Sequence, residues 1–442
     1  MQKKATVMII VGILIFGYVY PNSEELILAI NSRDINKTAL FINNGADVNS
    51  KDENENTCLM LSVGENASIE IVKMILIKGA KVNSKNKNGN NALMIAISAG
   101  TANDIVKLLL EFGIDINYKN KHGVTALMIA SNNHNCELVE LLITKGAKIN
   151  TQTNNGNTTL MFSVLKRDND IVQLLIENGA DMNLRDKDGV TALMYAILKN
   201  NIEAIDMLLN HKCNINIKDN AGDTALIYAA REGRLGIVKL LIAKNAQLDD
   251  KNLLGNTALL LAIFNQHSDL IYFLIEQGAN INAKNYDNLT ALMLLSLQGD
   301  AEYVRNLMTG HLQLDAKTPI GRSSQNTLTS IERYKIATLL IEKGAKVDAR
   351  CYSGNTALLY AAAYGNIEMV NLFLENGANI NTKNKNDFTA LMAAAALGHL
   401  EVVKLLLAKG ADKNAKLFDG KNALHFAKIY NKKDVYDYLL MH

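Results

Sequence analysis

A period of 33 residues runs through this chain and restricts it to architectures built by stacking like units. Gly123, Gly156, Gly189, Gly222 and Gly255 are each 33 residues apart. Each opens a similar phrase, such as Gly189-Val-Thr-Ala-Leu193 or Gly255-Asn-Thr-Ala-Leu259. The register continues at Asn288, Gly321, Gly354, Asp387 and Gly420, and reaches upstream through Gly89 and Glu55 in steps of 34. A second phrase recurs in phase, Gly-Ala-Asp/Lys/Asn-x-Asn, as at Gly79, Gly146, Gly278 and Gly377. At 442 residues an ordinary globular chain would divide into about three domains. A repeat array grows by stacking and needs no separate cores.

Each unit reads physically as turn, helix, turn, helix. The first Gly marks a tight turn that needs positive φ; Asn288 and Asp387 tolerate that region well, and Glu55 less so. The Thr two residues later is an N-cap. A short apolar helix follows, such as Ala192–Ile197, and then a second one with one polar face, such as Asp170–Ile176. The Gly of Gly-Ala-Asp ends that helix as a left-handed residue. Alone, such a unit cannot cover its apolar faces, so it must stack.

This pattern resembles the ankyrin repeat over residues 23–442. Residues 384–416 match best: Asp387-Phe-Thr-Ala-Leu-Met-Ala-Ala-Ala, Gly398-His-Leu-Glu-Val-Val-Lys-Leu-Leu-Leu407 and Gly410-Ala-Asp-Lys-Asn414. The resemblance implies an all-α solenoid with short β-hairpin-like loops, and protein partners. Two departures are systematic. Ala replaces the family Pro after the Thr cap, as at Ala126, Ala192 and Ala225, and Met replaces the family His, as at Met94, Met128, Met161, Met194, Met293 and Met392. Only His425 keeps that His, which in the family bonds across the loops. About thirteen units are expected, the first (about 23–51) and last (417–442) truncated. Unit 318–350 is degenerate, because Ser323-Ser-Gln-Asn326 stands where the Thr-Ala-Leu phrase belongs; a bend or weak point is expected there.

Residues 1–22 differ from the rest. Lys3 and Lys4 precede an uncharged apolar run over residues 5–20. Three readings stay open: a cleaved export signal, an uncleaved membrane anchor, or a buried first helix. The first two place the array outside the cytoplasm; the third leaves it inside.

Chemistry is sparse. The formal net charge of +2, with Lys and Asp/Glu interleaved, leaves no basic stripe for nucleic acid. No phosphate loop, nucleophile elbow or paired-carboxylate cleft appears. His134, Cys136 and Glu137 cluster, but no second group supplies further metal ligands. Cys58, Cys136, Cys213 and Cys351 lie two or more units apart, too far to pair. No enzyme, cofactor or metal is expected, and the array is expected to be monomeric.

The resemblance places the binding face on the loop tips and the ends of the first helices. In the first half these positions are polar. In the second half they turn apolar and aromatic: Leu253, Leu254, Phe264, Tyr286, Leu289, Ile320, Tyr352, Tyr364, Phe388, Leu397, Phe418 and Tyr430. Aromatic anchors of this kind serve protein interfaces, although the same residues could instead pack against adjacent loops. The expected function is therefore a non-enzymatic scaffold. A secreted host-directed effector and an enzyme with a site grafted on the array are the alternatives.

Overall fold

The computed structural model describes residues 23–297 and 328–442, so the expected signal or anchor at residues 1–22 lies outside the described residues. The described residues form 24 helices and no strands. They divide into two compact units, one up to Asn214 and one from Ile215 on.

In the first unit the helices pair in sequence: α1 (Ser23–Asn31) with α2 (Ile35–Asn43), α3 (Cys58–Ser62) with α4 (Ile69–Ile77), α5 (Ala92–Ser98) with α6 (Asn103–Glu111), α7 (Ala126–Asn132) with α8 (Cys136–Thr144), α9 (Thr159–Lys166) with α10 (Asn169–Glu177), and α11 (Ala192–Leu198) with α12 (Ile202–Asn210). In the second unit α13 (Ala225–Arg231) pairs with α14 (Leu235–Ala243) and α15 (Ala258–Phe264) with α16 (Ser268–Glu276). There α17 (Ala291–Ser296) pairs with α18 (Ser330–Glu342), α19 (Ala357–Ala363) with α20 (Ile367–Glu375), α21 (Ala390–Leu397) with α22 (Leu400–Ala408), and α23 (Ala423–Ile429) with α24 (Lys433–Met441).

The local signals act as the sequence suggests. Thr57, Thr125, Thr158, Thr191, Thr224, Thr257, Thr356 and Thr389 each accept the backbone N–H three residues on, satisfying a free donor of the first turn. The Met residues that replace the family His are buried. They do more than pack: the Sδ atoms of Met60, Met161 and Met194 lie 3.5 Å from the N–H of the capping Thr, where a thioether is a weak acceptor.

The loops between pairs are tight turns. Asn86 N–H donates to Asn90 O at 3.1 Å and Gly89 N–H to Asn86 O at 2.9 Å, with Gly89 at φ +77°, a three-residue hairpin geometry. Asn288, Asp387 and Glu55 take the same position at φ +58°, +61° and +61°. Gly123 is required twice over: its φ is +76°, and a Cβ there would lie 2.6 Å from Asn154 N. The β character ends at the turn, since the described residues hold one isolated bridge, Lys51 to Thr57.

Asparagine stitches neighbouring repeats. Asn86 Nδ2 donates to Asn56 Oδ1 and Asn120 Nδ2 to Asn90 Oδ1, each at 2.9 Å. Further along the loops, Asn83 Oδ1 accepts from Asp115 N–H at 2.7 Å while its Nδ2 donates to Gly113 O at 3.2 Å. Asn117 and Asn150 repeat that bridge. The abundance of Asn therefore has a structural cause: one amide side chain satisfies a donor and an acceptor on the next repeat.

The units expected to begin at Asn285 and Thr318 contribute a single described pair, α17 with α18, and residues 298–327 lie outside the described residues. The loop after α18 takes the place of the next loop in the stack: Asn282 Nδ2 donates to Gly344 O at 3.2 Å, and Lys346 N–H donates to Asn282 Oδ1 at 2.9 Å. The hairpin at Cys351 then docks directly on that of Asn285, with Tyr352 N–H donating to Asp287 O at 2.7 Å. Arg333 holds the join: its guanidinium donates to the carbonyls of Leu295, Leu297 and Leu328 and to Gln266 Oε1. A cation suits the carbonyl end of α17. Ile336, Ala337 and Leu340 of α18 are fully buried, as Val402, Val403 and Leu406 are at the same register in α22.

Candidate partner-binding surface

In the second unit successive hairpins are tied by one backbone hydrogen bond each. Leu253 N–H donates to Ala221 O at 2.9 Å, Tyr286 N–H to Leu254 O at 3.0 Å, Tyr352 N–H to Asp287 O at 2.7 Å, and Lys385 N–H to Ser353 O at 3.0 Å. This ladder sets the tips from Leu253 to Lys385 side by side, and Phe418 lies on the hairpin that follows. Leu253 and Leu254 are each 60% exposed, Tyr286 71%, Tyr352 68% and Phe418 101%. Phe264 and Tyr430, at the ends of α15 and α23, are exposed to a lesser degree. Seven of the twelve candidates are thus open to solvent.

The other five differ. Leu289 and Phe388 are 7% and 3% exposed, which corrects their place on an accessible surface. Each follows a left-handed residue, Asn288 or Asp387, and its N–H is pulled onto the first residue of its own hairpin, Asn285 Oδ1 or Asn384 Oδ1, at 2.9 Å. The turn therefore aims the side chain inward, and Phe388 packs edge-on against Phe426 at 5.1 Å. Tyr364 and Leu397 are half-buried, and Ile320 lies outside the described residues.

Beside the apolar ledge is a polar cluster that the sequence reading passed over. Tyr228 Oη donates to Asp219 Oδ2 at 2.7 Å, and the Arg231 guanidinium pairs with buried Asp223 while lying 5.5 Å from the Tyr228 ring centre. Burial and then the Asp219 hydrogen bond push the Tyr228 hydroxyl above its ordinary pKa, so it stays a donor. Asn252 Nδ2 also donates to Asp223, at 2.8 Å. The signal was present in the spacing, since Tyr228 lies nine residues after Asp219 as Tyr195 lies nine after Asp186, and the same hydrogen bond forms in both. Lys385 adds a charge at the tips: its Nζ lies 4.0 Å from the Tyr352 ring centre.

The candidate metal trio does not assemble. His134 Nδ1 instead meets Asp168 Oδ2 of the next pair at 2.8 Å. Among the described residues no group of three or more His, Cys, Asp or Glu could hold a metal ion. All four cysteines are free. Cys58, Cys213 and Cys351 are buried, and burial pushes the thiols of Cys58 and Cys213 up to about 12 and about 11, so they are protonated and poorly nucleophilic. Cys136 is exposed, and partial burial followed by Asp168 and Asp170 raises its pKa as well.

No curated protein matches the chain. The family model described as Ankyrin repeats (3 copies) matches residues 26–120, 59–153, 127–219, 160–253, 212–285, 244–319, 292–384, 328–417 and 381–442. Repeats are detected along nearly the whole sequence, each falling on stacked helix pairs joined by left-handed turns, and the chain belongs to the ankyrin repeat family.

Proposed function

We propose that this protein is a non-enzymatic scaffold whose second unit holds a partner protein on the ledge formed by Leu253, Leu254, Tyr286, Tyr352 and Phe418. The observation that carries the reading is the exposure of these large apolar side chains, Leu253, Leu254, Tyr286 and Tyr352 on three successive hairpins and Phe418 further along. Exposed apolar groups set together in this way are uncommon on monomeric proteins without a binding role. Ankyrin repeats are generally protein-interaction modules, and aromatic anchors ringed by polar groups are what such interfaces use. The Lys385–Tyr352 contact and the Asp223–Arg231 pair supply the polar rim.

The array is proposed to act outside the cytoplasm, exported or tethered through residues 5–20. The leading edge formed by α1 and α2 carries both polar and apolar exposed side chains. Eight residues before the helix-ending turn the second helix carries a buried apolar residue, as with Ile71, Ile105, Ala204, Ile336 and Val402, yet in α2 that residue is the exposed Lys37. Leu28 of α1 is 66% exposed at a register where Ser62, Ala96 and Ala130 are buried, so the leading edge is mixed, polar at Lys37 and apolar at Leu28. Among the described residues no helix is long and apolar enough to cross a membrane.

The test is cross-linking from photoreactive residues placed at Tyr286 and Tyr352 in the native host, with the captured protein then purified. Binding of that protein is measured against Leu253→Ser/Leu254→Ser/Tyr286→Ser/Tyr352→Ser. The affinity is expected to drop at least tenfold with helicity unchanged; equal binding rejects the ledge. Fractionation of the full chain beside a chain lacking residues 5–20 tests the tether, which fails if both distribute alike.

A further inference from the structure

The hairpins of the first unit carry a different chemistry. Three consecutive loop segments, residues 84–91, 118–125 and 151–158, contain no Asp or Glu but hold Lys85, Lys87, Lys119, Lys121 and His122. The backbone ladder sets them in register. Lys87 N–H donates to Asn54 O at 3.0 Å, Lys121 N–H to Asn88 O at 3.5 Å, and Asn154 N–H to His122 O at 3.0 Å. Lys85 and Lys119 therefore form one column along the loop stems, and Lys87 and Lys121 a second along the tips. All four are exposed.

Their charges are not neutralised nearby. The ion pairs of this unit are Lys37–Asp34, Lys51–Glu55, Lys107–Asp104 and His134–Asp168, none of them in the strip. Lys119 Nζ donates to a carbonyl, Gln152 O, at 2.9 Å. The carboxylates of the same pairs lie outside these loop segments, on the second helices at Asp104, Glu111, Glu137, Glu140, Asp170 and Glu177 and beside them at Asp115 and Asp168. Glu53 and Glu55 bound the strip at one end, Asp186 and Asp188 at the other. A chain of formal charge +2 thus presents a local positive field that its overall balance conceals.

We infer that this strip binds an extended acidic segment of a polypeptide. The spacing suits one: three stacked pairs at ~8–10 Å each span roughly 24–30 Å, about seven to nine residues of extended chain at ~3.3 Å per residue. Exposed amides at Asn88 and Asn155 can donate to a carboxylate or a peptide carbonyl. Nucleic acid fits less well, because the three loops hold no Phe or Trp and, besides the imidazole of His122, one half-buried ring, Tyr118, whereas single strands need stacking platforms. The strip is independent of the apolar ledge of the second unit and stands or falls separately from it.

Fluorescence anisotropy on the full chain tests this, with fluorescein-labelled decaglutamate as the acidic probe and a labelled 20-nucleotide oligothymidylate as the competitor class. One variant carries Lys85→Gln, Lys87→Gln and Lys121→Gln. A control of equal charge carries Lys73→Gln, Lys107→Gln and Lys145→Gln on the second helices. Decaglutamate is expected to bind at low salt, to bind at least tenfold more weakly to the first variant, and to change less than twofold with the control. Equal loss in both variants would show a net-charge effect and overturn the site. Absence of decaglutamate binding, or oligothymidylate binding that alone depends on the three lysines, would overturn the acidic polypeptide in favour of no ligand or of nucleic acid. Circular dichroism confirms that both variants keep their helices.

Discussion

Thr191 and Thr290 occupy the same cap position and behave differently. Thr191 Oγ1 accepts Met194 N–H, whereas Thr290 makes no cap bond and its buried hydroxyl meets no partner. Thr191→Val should cost about 1 kcal/mol. Thr290→Val should be neutral or stabilising, because it removes an unsatisfied buried polar atom while keeping the shape. Urea unfolding of the two variants separates these outcomes. His399 gives a pH signature. Its ring Nε2 meets Ala363 O at 2.9 Å, and a Cβ on Gly365 would lie 2.4 Å from Nδ1, so only glycine leaves room for the ring. Burial first, and Lys432 as well, hold the imidazole below its ordinary pKa of 6.5, against the carbonyl bond that raises it. The folded state therefore keeps the ring neutral at a pH where the unfolded chain takes up a proton. Its contribution is complete above about pH 6.5 and declines as the pH falls from there towards the lower folded value. The urea midpoint of the wild type should drop more between pH 7.5 and pH 5.5 than that of His399→Gln; parallel drops would refute the assignment.

Helix pairs succeed or fail by what fills the slot between neighbours. The α17–α18 pair is the informative one, because its helices are joined through the long segment 298–327, and Arg333 closes the gap by reaching carbonyls on both sides of it. Arg333→Ala should cost about 1–3 kcal/mol, the range for hydrogen bonds to a charged donor, with the loss read as a lower urea midpoint. Since Leu297 O and Leu328 O contact the same guanidinium, a three-residue Gly linker in place of 298–327 should leave the helical signal of the remaining chain unchanged. A cooperative loss of helix on that replacement would show that the pair depends on the segment. Buried and exposed aromatics differ at this scale too. Phe388→Ala should cost about 3–5 kcal/mol, as for a filled core position, while Tyr286→Ala should shift stability by less than about 0.5 kcal/mol.

Over the whole molecule, stability in a repeat array is close to a sum of repeat and nearest-neighbour terms, so the ends must be polar to stay single. Lys37 is a charged residue on the leading edge, beside the exposed Leu28. Lys37→Leu should create a sticky face matched to Ile71 and its equivalents, and sedimentation velocity should show concentration-dependent self-association absent from the wild type. An unchanged sedimentation profile would place the capping function elsewhere on α1 and α2. The charge distribution is also a property of the whole array: neutralisation holds for the composition and fails along the hairpin edge of the first unit, where three loops without acidic residues align.

The sequence alone determined the repeat unit. Turn glycines, Thr caps and helix-ending Gly-Ala phrases act within a few residues, so their chemistry is complete in the local string, and the helices fall where those signals put them. The apolar tips Leu253, Tyr286 and Tyr352 were legible for the same reason, since a hairpin tip faces outward in any stack. Leu289 and Phe388 were not, because two residues can flank one turn and point to opposite sides, and the left-handed residue before each decides which. Partner choice between helices also escaped the period: the spacing of 66 residues from Asn285 to Cys351 fits two units as well as one pair with a long connection. Among the described residues α18 packs on α17, with Ile336, Ala337 and Leu340 buried. The basic strip was hidden likewise, because lysines 34 residues apart become neighbours only when the hairpins stack.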